Sequence, residues 1–164
     1  MASQGTSVDE AWGQLADAPQ QERETAMQAR YLELAQLDEE ERHARLLEMA
    51  RAEYALPDDK LRALTLSRLH TLLNMELDLA HRLTQSYDAV MRELPGNAAM
   101  RRVSLIQALT REMSAEEEDR VRALVPGVFT GAPPRGAGLQ VNVPQPVSAR
   151  SRGRPWWAFW KKGA

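Results

Sequence analysis

The chain of 164 residues, 43% hydrophobic and 27% charged, can form one modest globular domain with extensions, and its lack of cysteine excludes disulfide scaffolds, thiolate metal sites and a cysteine nucleophile. The net charge of −2 conceals a division: residues 1–125 hold all 23 acidic residues against 15 basic ones, whereas residues 126–164 hold six basic residues and no acid. We therefore expect an acidic body with a basic C-terminal arm, and any attraction to lipid headgroups or nucleic acid must come from that arm.

Residues 1–21 are rich in Gly, Ser, Gln and Ala, and they are predicted to form a flexible lead-in with a short helical possibility from Val8 to Ala16. The first ten residues have no basic, apolar leader, and no stretch approaches the ~20 apolar residues that a membrane-spanning helix needs. We expect a cytoplasmic protein that can lie peripherally at the inner face of a membrane. The excess of arginine over lysine, 18 to 3, favours a bacterial origin.

The body, residues 22–126, is predicted to be an all-α domain. Apolar residues follow helical spacing from Glu22 onward, and Asp38 with Glu41 forms a capping-box pattern at which a second helix begins. That helix is expected to end near Leu56, before a proline. The predicted fold is an antiparallel helical hairpin or small helical bundle, with a disordered Pro/Gly-rich C-terminal tail.

One long helix is predicted from Pro57 to Leu94. Its first turn carries a proline and two acids, as helix N-termini often do. Residues then recur at spacings of three and four, which is the pattern of a coiled-coil seam. This seam comprises Leu66, Leu69, Leu73, Glu76, Ala80, Leu83, Tyr87, Val90 and Leu94. It can close within one chain, against the helix that ends near Leu56, or between two chains as a homo-oligomer.

Two shorter helices are expected after the turn at Pro95-Gly96-Asn97, and Ser114 with Glu117 forms a second capping box. The joints Leu56-Pro57 and Leu94-Pro95 each lead into a similar Leu/Arg-rich stretch, which could indicate a duplicated hairpin, but such matches are frequent among helices of this composition. The region 127–153 contains many Pro and Gly residues, so it is predicted to be a disordered linker.

The C-terminal motif, residues 154–164, contains three of the four tryptophans of the chain. Trp rings settle at the headgroup level of membranes, and each nearby basic residue adds about 1 kcal/mol of attraction to an anionic leaflet. We therefore predict a membrane-binding or partner-binding segment. It comprises Arg150, Arg152, Arg154, Trp156, Trp157, Phe159, Trp160, Lys161 and Lys162. The alternatives are a groove on a partner protein, the body of the chain itself, and single-stranded nucleic acid, which the acidic body disfavours.

A metal site is the weaker hypothesis for the body. Glu40 with His43, and Asp78 with His81, have the three-residue spacing used by di-iron and di-manganese helical bundles, but those sites also need carboxylates from two further helices. Glu76 is the charged residue of the seam, and it could either mark a functional polar spot facing His43 or fix the helix register. We favour the structural interpretation and predict no metal and no cofactor.

No catalytic signature accompanies these patterns: the sequence has no Gly-rich phosphate loop, no G-x-S-x-G and no H-E-x-x-H. We therefore expect a non-enzymatic helical adaptor or scaffold, tethered to an anionic membrane surface through its C-terminal Trp-rich tail. The first alternative is a protein-docking module whose tail is a peptide ligand for a partner complex, and the second is a helical-bundle metalloprotein.

Overall fold

The computed structural model describes residue 9 and residues 11–130, and all regular structure in that part of the chain is helical, which confirms the all-α class. A 3-10 helix precedes six α-helices and a second 3-10 helix follows them. The bounds are Trp12–Asp17 for the first 3-10 helix, α1 Gln20–Gln36, α2 Glu39–Tyr54, α3 Asp58–Leu73, α4 Leu77–Met91, α5 Gly96–Thr110, α6 Ala115–Leu124, and Pro126–Phe129 for the second 3-10 helix. Among the residues described, no helix is long and apolar enough to cross a membrane.

The six α-helices follow a 19-residue period. Each begins 19 residues after the one before it, from Gln20 to Ala115. Two or more non-helical residues separate consecutive helices, and the residue before each N-cap is apolar in all six cases. The chain is therefore an array of helical repeats, and the similarity between the joints at Pro57 and Pro95, which are 38 residues apart, is one part of that period.

Equivalent contacts recur with the same period. Arg23 in α1 donates from Nε to the Ser67 hydroxyl in α3 over 3.0 Å, and Arg42 in α2 donates from Nε to the Ser86 hydroxyl in α4, also over 3.0 Å. Each arginine also donates to the carbonyl of the residue preceding its own helix N-cap. The beginning of each helix thus meets the second half of the helix two positions later, so α1 with α3 and α2 with α4 form antiparallel pairs.

The predicted long helix from Pro57 to Leu94 is wrong. Asn74 ends α3 and Glu76 precedes α4, so the chain is interrupted for three residues. A three-residue joint takes up nearly one helical turn, which is why the three-and-four spacing of the seam continues through it without a visible break. The hairpin is corrected as well, because the antiparallel partner of α2 is α4.

The packed domain begins earlier than residue 22. Trp12 is 2% exposed and lies against Tyr31, with 6.2 Å between the ring centroids. The 3-10 helix that carries Trp12 contacts α2 and α3, and Asp9 forms an ion pair with Arg30. Residues 11–21 therefore belong to the domain. Their polar composition suggested a flexible lead-in, but one large aromatic side chain suffices to anchor this segment.

The domain also ends later than residue 126. Val128 and Phe129 are buried, and the Val128 carbonyl accepts a hydrogen bond of 2.8 Å from Nε2 of Gln107. The predicted linker boundary at residue 127 is therefore too early. Beyond Thr130, the predicted linker and the C-terminal motif at 154–164 lie outside the described residues.

One hydrophobic core joins all six α-helices. Its side chains come from the third, seventh, tenth or fourteenth position after the first residue of a helix, which is the spacing of one helical face. Fully buried members are Met27, Leu34, Leu46, Met49, Leu61, Leu64, Ile106, Leu109 and Val121.

Candidate functional site

The predicted membrane- or partner-binding residues lie outside the described part of the chain, so the structure does not bear on their roles. They are Arg150, Arg152, Arg154, Trp156, Trp157, Phe159, Trp160, Lys161 and Lys162.

The histidines and acids of the metal hypothesis are spread over the surface. His43 is half-buried and its Nε2 lies 2.6 Å from Oε1 of Glu93, rather than facing Glu76. Glu76 is exposed at the N-cap of α4, so it is not a polar residue within a packed seam. Asp78 is exposed beside it. Among the described residues, no group of three or more His, Cys, Asp or Glu side chains is placed to hold a metal ion.

The most unusual feature of the body is a buried polar cluster, here called the Glu53 cluster, formed by Trp12, Glu53, Thr65, Arg68 and Tyr87. Its members come from the first 3-10 helix, α2, α3 and α4. Glu53 is 1% exposed, and an ionised carboxylate at such a position requires compensating donors.

Three donors surround the Glu53 carboxylate. The Trp12 indole N–H donates to Oε1 over 2.9 Å, while Arg68 and the Tyr87 hydroxyl donate to Oε2 over 2.5 and 2.7 Å. Arg68 also donates to the Tyr87 hydroxyl oxygen over 2.6 Å and to the Thr65 hydroxyl over 3.3 Å. Its guanidinium carbon lies 4.6 Å from the centroid of the Tyr87 ring. The charges are thus paired, and the polar atoms are linked into one network.

The electrostatics follow from this burial. Burial raises the pKa of the Tyr87 hydroxyl well above its usual 10.0, and the Glu53 carboxylate adds to that rise while Arg68 opposes it. For Arg68, burial acts to lower the pKa, but attraction to Glu53 outweighs it and the pKa lies well above its usual range. At neutral pH the cluster therefore holds a neutral tyrosine and a charged guanidinium against Glu53.

A cavity of about 30 Å³ lies beside Arg68 and Tyr87, between apolar side chains that include Leu83 and Ile106. This volume suits a single water molecule rather than an organic substrate. The Glu53 cluster is therefore suited to joining four elements of the fold, and it offers no route for a substrate to reach its polar atoms.

Sequence reasoning missed the Glu53 cluster, although the repeat contains a signal for it. Glu53 occupies the position that Leu34 and Leu72 occupy in their helices, and Arg68 occupies that of Met49 and Ile106. A charged residue at a core position of a repeat marks a buried pair. This signal becomes visible only once the period is known.

Two surface grooves occupy equivalent places in the array. One lies between α2 and α4, measures about 260 Å³, and contains the Arg42 and Ser86 contact. The other lies between α3 and α5 and is larger, about 400 Å³. There the equivalent residues are Leu61 and Leu105, so an apolar pair replaces the hydrogen-bonded one. Met100, on the rim of this groove, is 72% exposed, which makes it the most apolar opening of the described surface.

No protein-family model matches the chain, and comparisons with curated proteins and with solved structures gave no match either. Function is therefore argued from the residues themselves.

Proposed function

We propose that the protein is a non-enzymatic helical adaptor or scaffold that associates with an anionic membrane surface through its C-terminal segment. The observation that carries this proposal is the composition of residues 150–162, where Trp156, Trp157 and Trp160 stand among five basic residues. Indole rings supply apolar insertion at the headgroup level, and the basic residues supply attraction to anionic lipid.

The charge of the chain supports this division of labour. The body is acidic overall and would be repelled by an anionic surface, whereas residues 126–164 carry only basic charge. One aromatic or basic contribution alone gives weak binding, but two together give stable peripheral association.

The body supports a binding role rather than a chemical one. Its large aromatic side chains Trp12, Tyr31, Tyr87 and Phe129 are buried, and they serve internal contacts. The cavity beside the Glu53 cluster has room for a water molecule. What the body offers to other molecules is therefore its outer surface, as expected of a scaffold.

A protein-docking module is the second candidate, and the repeat architecture favours it. Arrays of helical repeats commonly present extended surfaces to partner proteins. The groove between α3 and α5, with Leu61, Leu105 and the exposed Met100, is an apolar opening of the kind that partners use. In this candidate the tail is a peptide ligand for the partner complex.

Co-sedimentation of the full chain with liposomes tests the first proposal. With vesicles containing anionic lipid at low salt, the protein should pellet with the vesicles, and neutral vesicles should bind it more weakly. Replacing Trp156, Trp157 and Trp160 with Ala should abolish binding at any salt, because the indoles provide most of the apolar area. The matched control replaces the same three residues with Phe, which keeps apolar rings and should retain much of the binding.

The basic residues are tested separately. Replacing Arg150, Arg152, Arg154, Lys161 and Lys162 with Gln should weaken binding to anionic vesicles and spare the residual binding to neutral ones. Exchanging the three arginines for lysine keeps the charge and should change little. Added salt should mimic the Gln variant. If the unaltered chain stays in the supernatant with anionic vesicles at low salt, the membrane proposal fails and the docking module takes its place.

A further inference from the structure

The joint between α3 and α4, residues Asn74, Met75 and Glu76, differs from the other five joints that precede a helix. Those five have an N-cap residue that itself interrupts or caps a helix. Three are prolines, and two have side-chain oxygens that accept a hydrogen bond from the backbone N–H three residues later. They are Pro19, Pro57 and Pro95, and Asp38 and Ser114. Glu76 makes no such capping hydrogen bond.

The local sequence at this joint is compatible with an uninterrupted helix. Asn74, Met75 and Glu76 include neither Pro nor Gly, and Met and Glu are good helix formers. The spacing from Leu73 to Glu76 to Ala80 also continues the helical pattern on both sides. Interactions from elsewhere in the fold must therefore hold the chain open here.

One such interaction comes from α6. The Arg120 guanidinium donates to the Leu73 carbonyl at the end of α3. In a continuous helix this carbonyl would accept from the backbone N–H of Leu77, so the bond from Arg120 belongs to the interrupted form. Arg101 makes the equivalent bond 19 residues earlier, to the Tyr54 carbonyl over 2.9 Å, but there a proline follows and the break does not depend on it.

Fusing α3 with α4 would give one helix from Asp58 to Met91, about 50 Å long. Such a helix cannot keep α3 on α1 and α4 on α2 of the same chain, because those pairs require the chain to bend between α3 and α4. A second copy can supply the missing partner. Its α4 offers the same acceptors, including Ser86 for Arg42 and the Tyr87 hydroxyl for Glu53.

We propose that Asn74–Glu76 is a hinge at which α3 and α4 fuse into one helix, so that the chain exchanges α4, α5 and α6 with a second copy of itself, and that Arg120 is the lock that favours the closed monomer. Exchange of identical elements rebuilds the same contacts between chains, so the two forms differ mainly at the hinge. The partner surface is therefore the α1–α3 half of a second copy, which presents the face that α4 covers in the monomer.

Size-exclusion chromatography with light scattering on the full chain tests the lock. Arg120→Ala should raise the monomer–dimer association constant by about a hundredfold, since losing a charge-assisted hydrogen bond is worth about tenfold and two chains lose it per dimer. Arg101→Ala is the matched control, and it should leave the constant within about threefold of the original. Equal dimerisation of the two variants would overturn the role of Arg120.

Glu76→Pro tests the hinge in the opposite direction. The φ of Glu76, −58°, is close to the −63° of Pro57 and the −53° of Pro95, so proline fits the monomer. It also forbids a continuous helix, so it should suppress the dimer, including the dimer of Arg120→Ala. Asn74→Ala, which keeps Arg120 and favours a helix, should promote the dimer and serves if Arg120→Ala folds poorly. A dimer that survives Glu76→Pro would refute the hinge.

A distance measurement identifies the fused helix directly. Because the chain lacks cysteine, spin labels can be placed on cysteines introduced at the exposed positions Asp59 and Arg92. Within one chain of the dimer, diluted with unlabelled protein, the two labels should be about 50 Å apart, the span of 33 helical residues. In the monomer the distance should be shorter, because α3 and α4 contact each other. A dimer with the short distance would show association without exchange and would refute the proposal.

Discussion

Replacing Glu53 with Leu should destabilise the protein by about 3–5 kcal/mol, because it leaves Arg68, 5% exposed, as a buried charge without its carboxylate. The indole N–H of Trp12 and the hydroxyl of Tyr87 lose their acceptor in the same step. Arg68→Met should cost less, about 3 kcal/mol, because the carboxylate of Glu53 would still accept from Trp12 and Tyr87.

The double variant Glu53→Leu with Arg68→Met should be more stable than either single variant. Leu is the residue at the equivalent position of α1 and α3, and Met is the residue at the equivalent position of α2, so both suit a core site of the array. The remaining cost is that of unpaired polar groups on Trp12 and Tyr87, about 1–3 kcal/mol. The two single losses would then exceed the double loss by several kcal/mol.

Urea denaturation followed by circular dichroism gives the four free energies of unfolding that this double-mutant cycle needs. Similar m-values across the set would show that the unfolded states are comparable. If the losses of the two single variants simply add in the double variant, Glu53 and Arg68 are not coupled and the account of the Glu53 cluster fails.

Three further predictions concern the described body. Because burial raises the pKa of Tyr87 above 10.0, the unfolded chain releases this proton first, so stability should fall as the pH rises above 10, and less so in Tyr87→Phe; denaturation across pH 8–12 checks this. Leu83→Ala should cost about 2–5 kcal/mol, whereas Arg82→Ala, next to it and exposed, should cost under about 0.5; equal small losses would show that this face of α4 is not packed. Ser114→Ala removes the capping box of α6 and should cost about 1 kcal/mol in the same assay, against almost no loss for Ser104→Ala; an equal effect would contradict the cap.

Local signals in the sequence predicted the helix starts that carry them. Asp38 accepts a hydrogen bond from the backbone N–H of Glu41, and Ser114 with Glu117 forms both halves of a capping box, as their spacing predicted. These features depend on residues three apart, so they can be recognised without knowledge of the fold. The all-α class follows equally from the spacing of apolar residues.

Features that depend on distant residues could not be predicted in this way. The end of α3 involves Arg120, which is 47 residues further along the chain than the Leu73 carbonyl it binds. The burial of Trp12 depends on Glu53, 41 residues away, and on Tyr31. Composition alone placed Trp12 in a flexible segment, because a polar average hides a single anchoring side chain.

The repeat raises a question of register that the Glu53 cluster answers. Six helices of similar length and spacing, built largely from Leu, Met and Ala, can in principle pair one repeat out of place. The Glu53 cluster discourages this, because the carboxylate of α2 finds its buried cation only in α3 and its buried hydroxyl only in α4 among the described helices.

The double variant Glu53→Leu with Arg68→Met should therefore fold stably but less uniquely. Its two-dimensional amide NMR spectrum should show additional or broadened signals from α2, α3 and α4, while the unaltered protein gives one set. The matched control is Leu72→Met, a change of similar size at a core position that carries no charge, and it should keep the single set. One sharp set of signals from the double variant would mean that apolar packing alone fixes the register, and that the charges of Glu53 and Arg68 contribute to stability only.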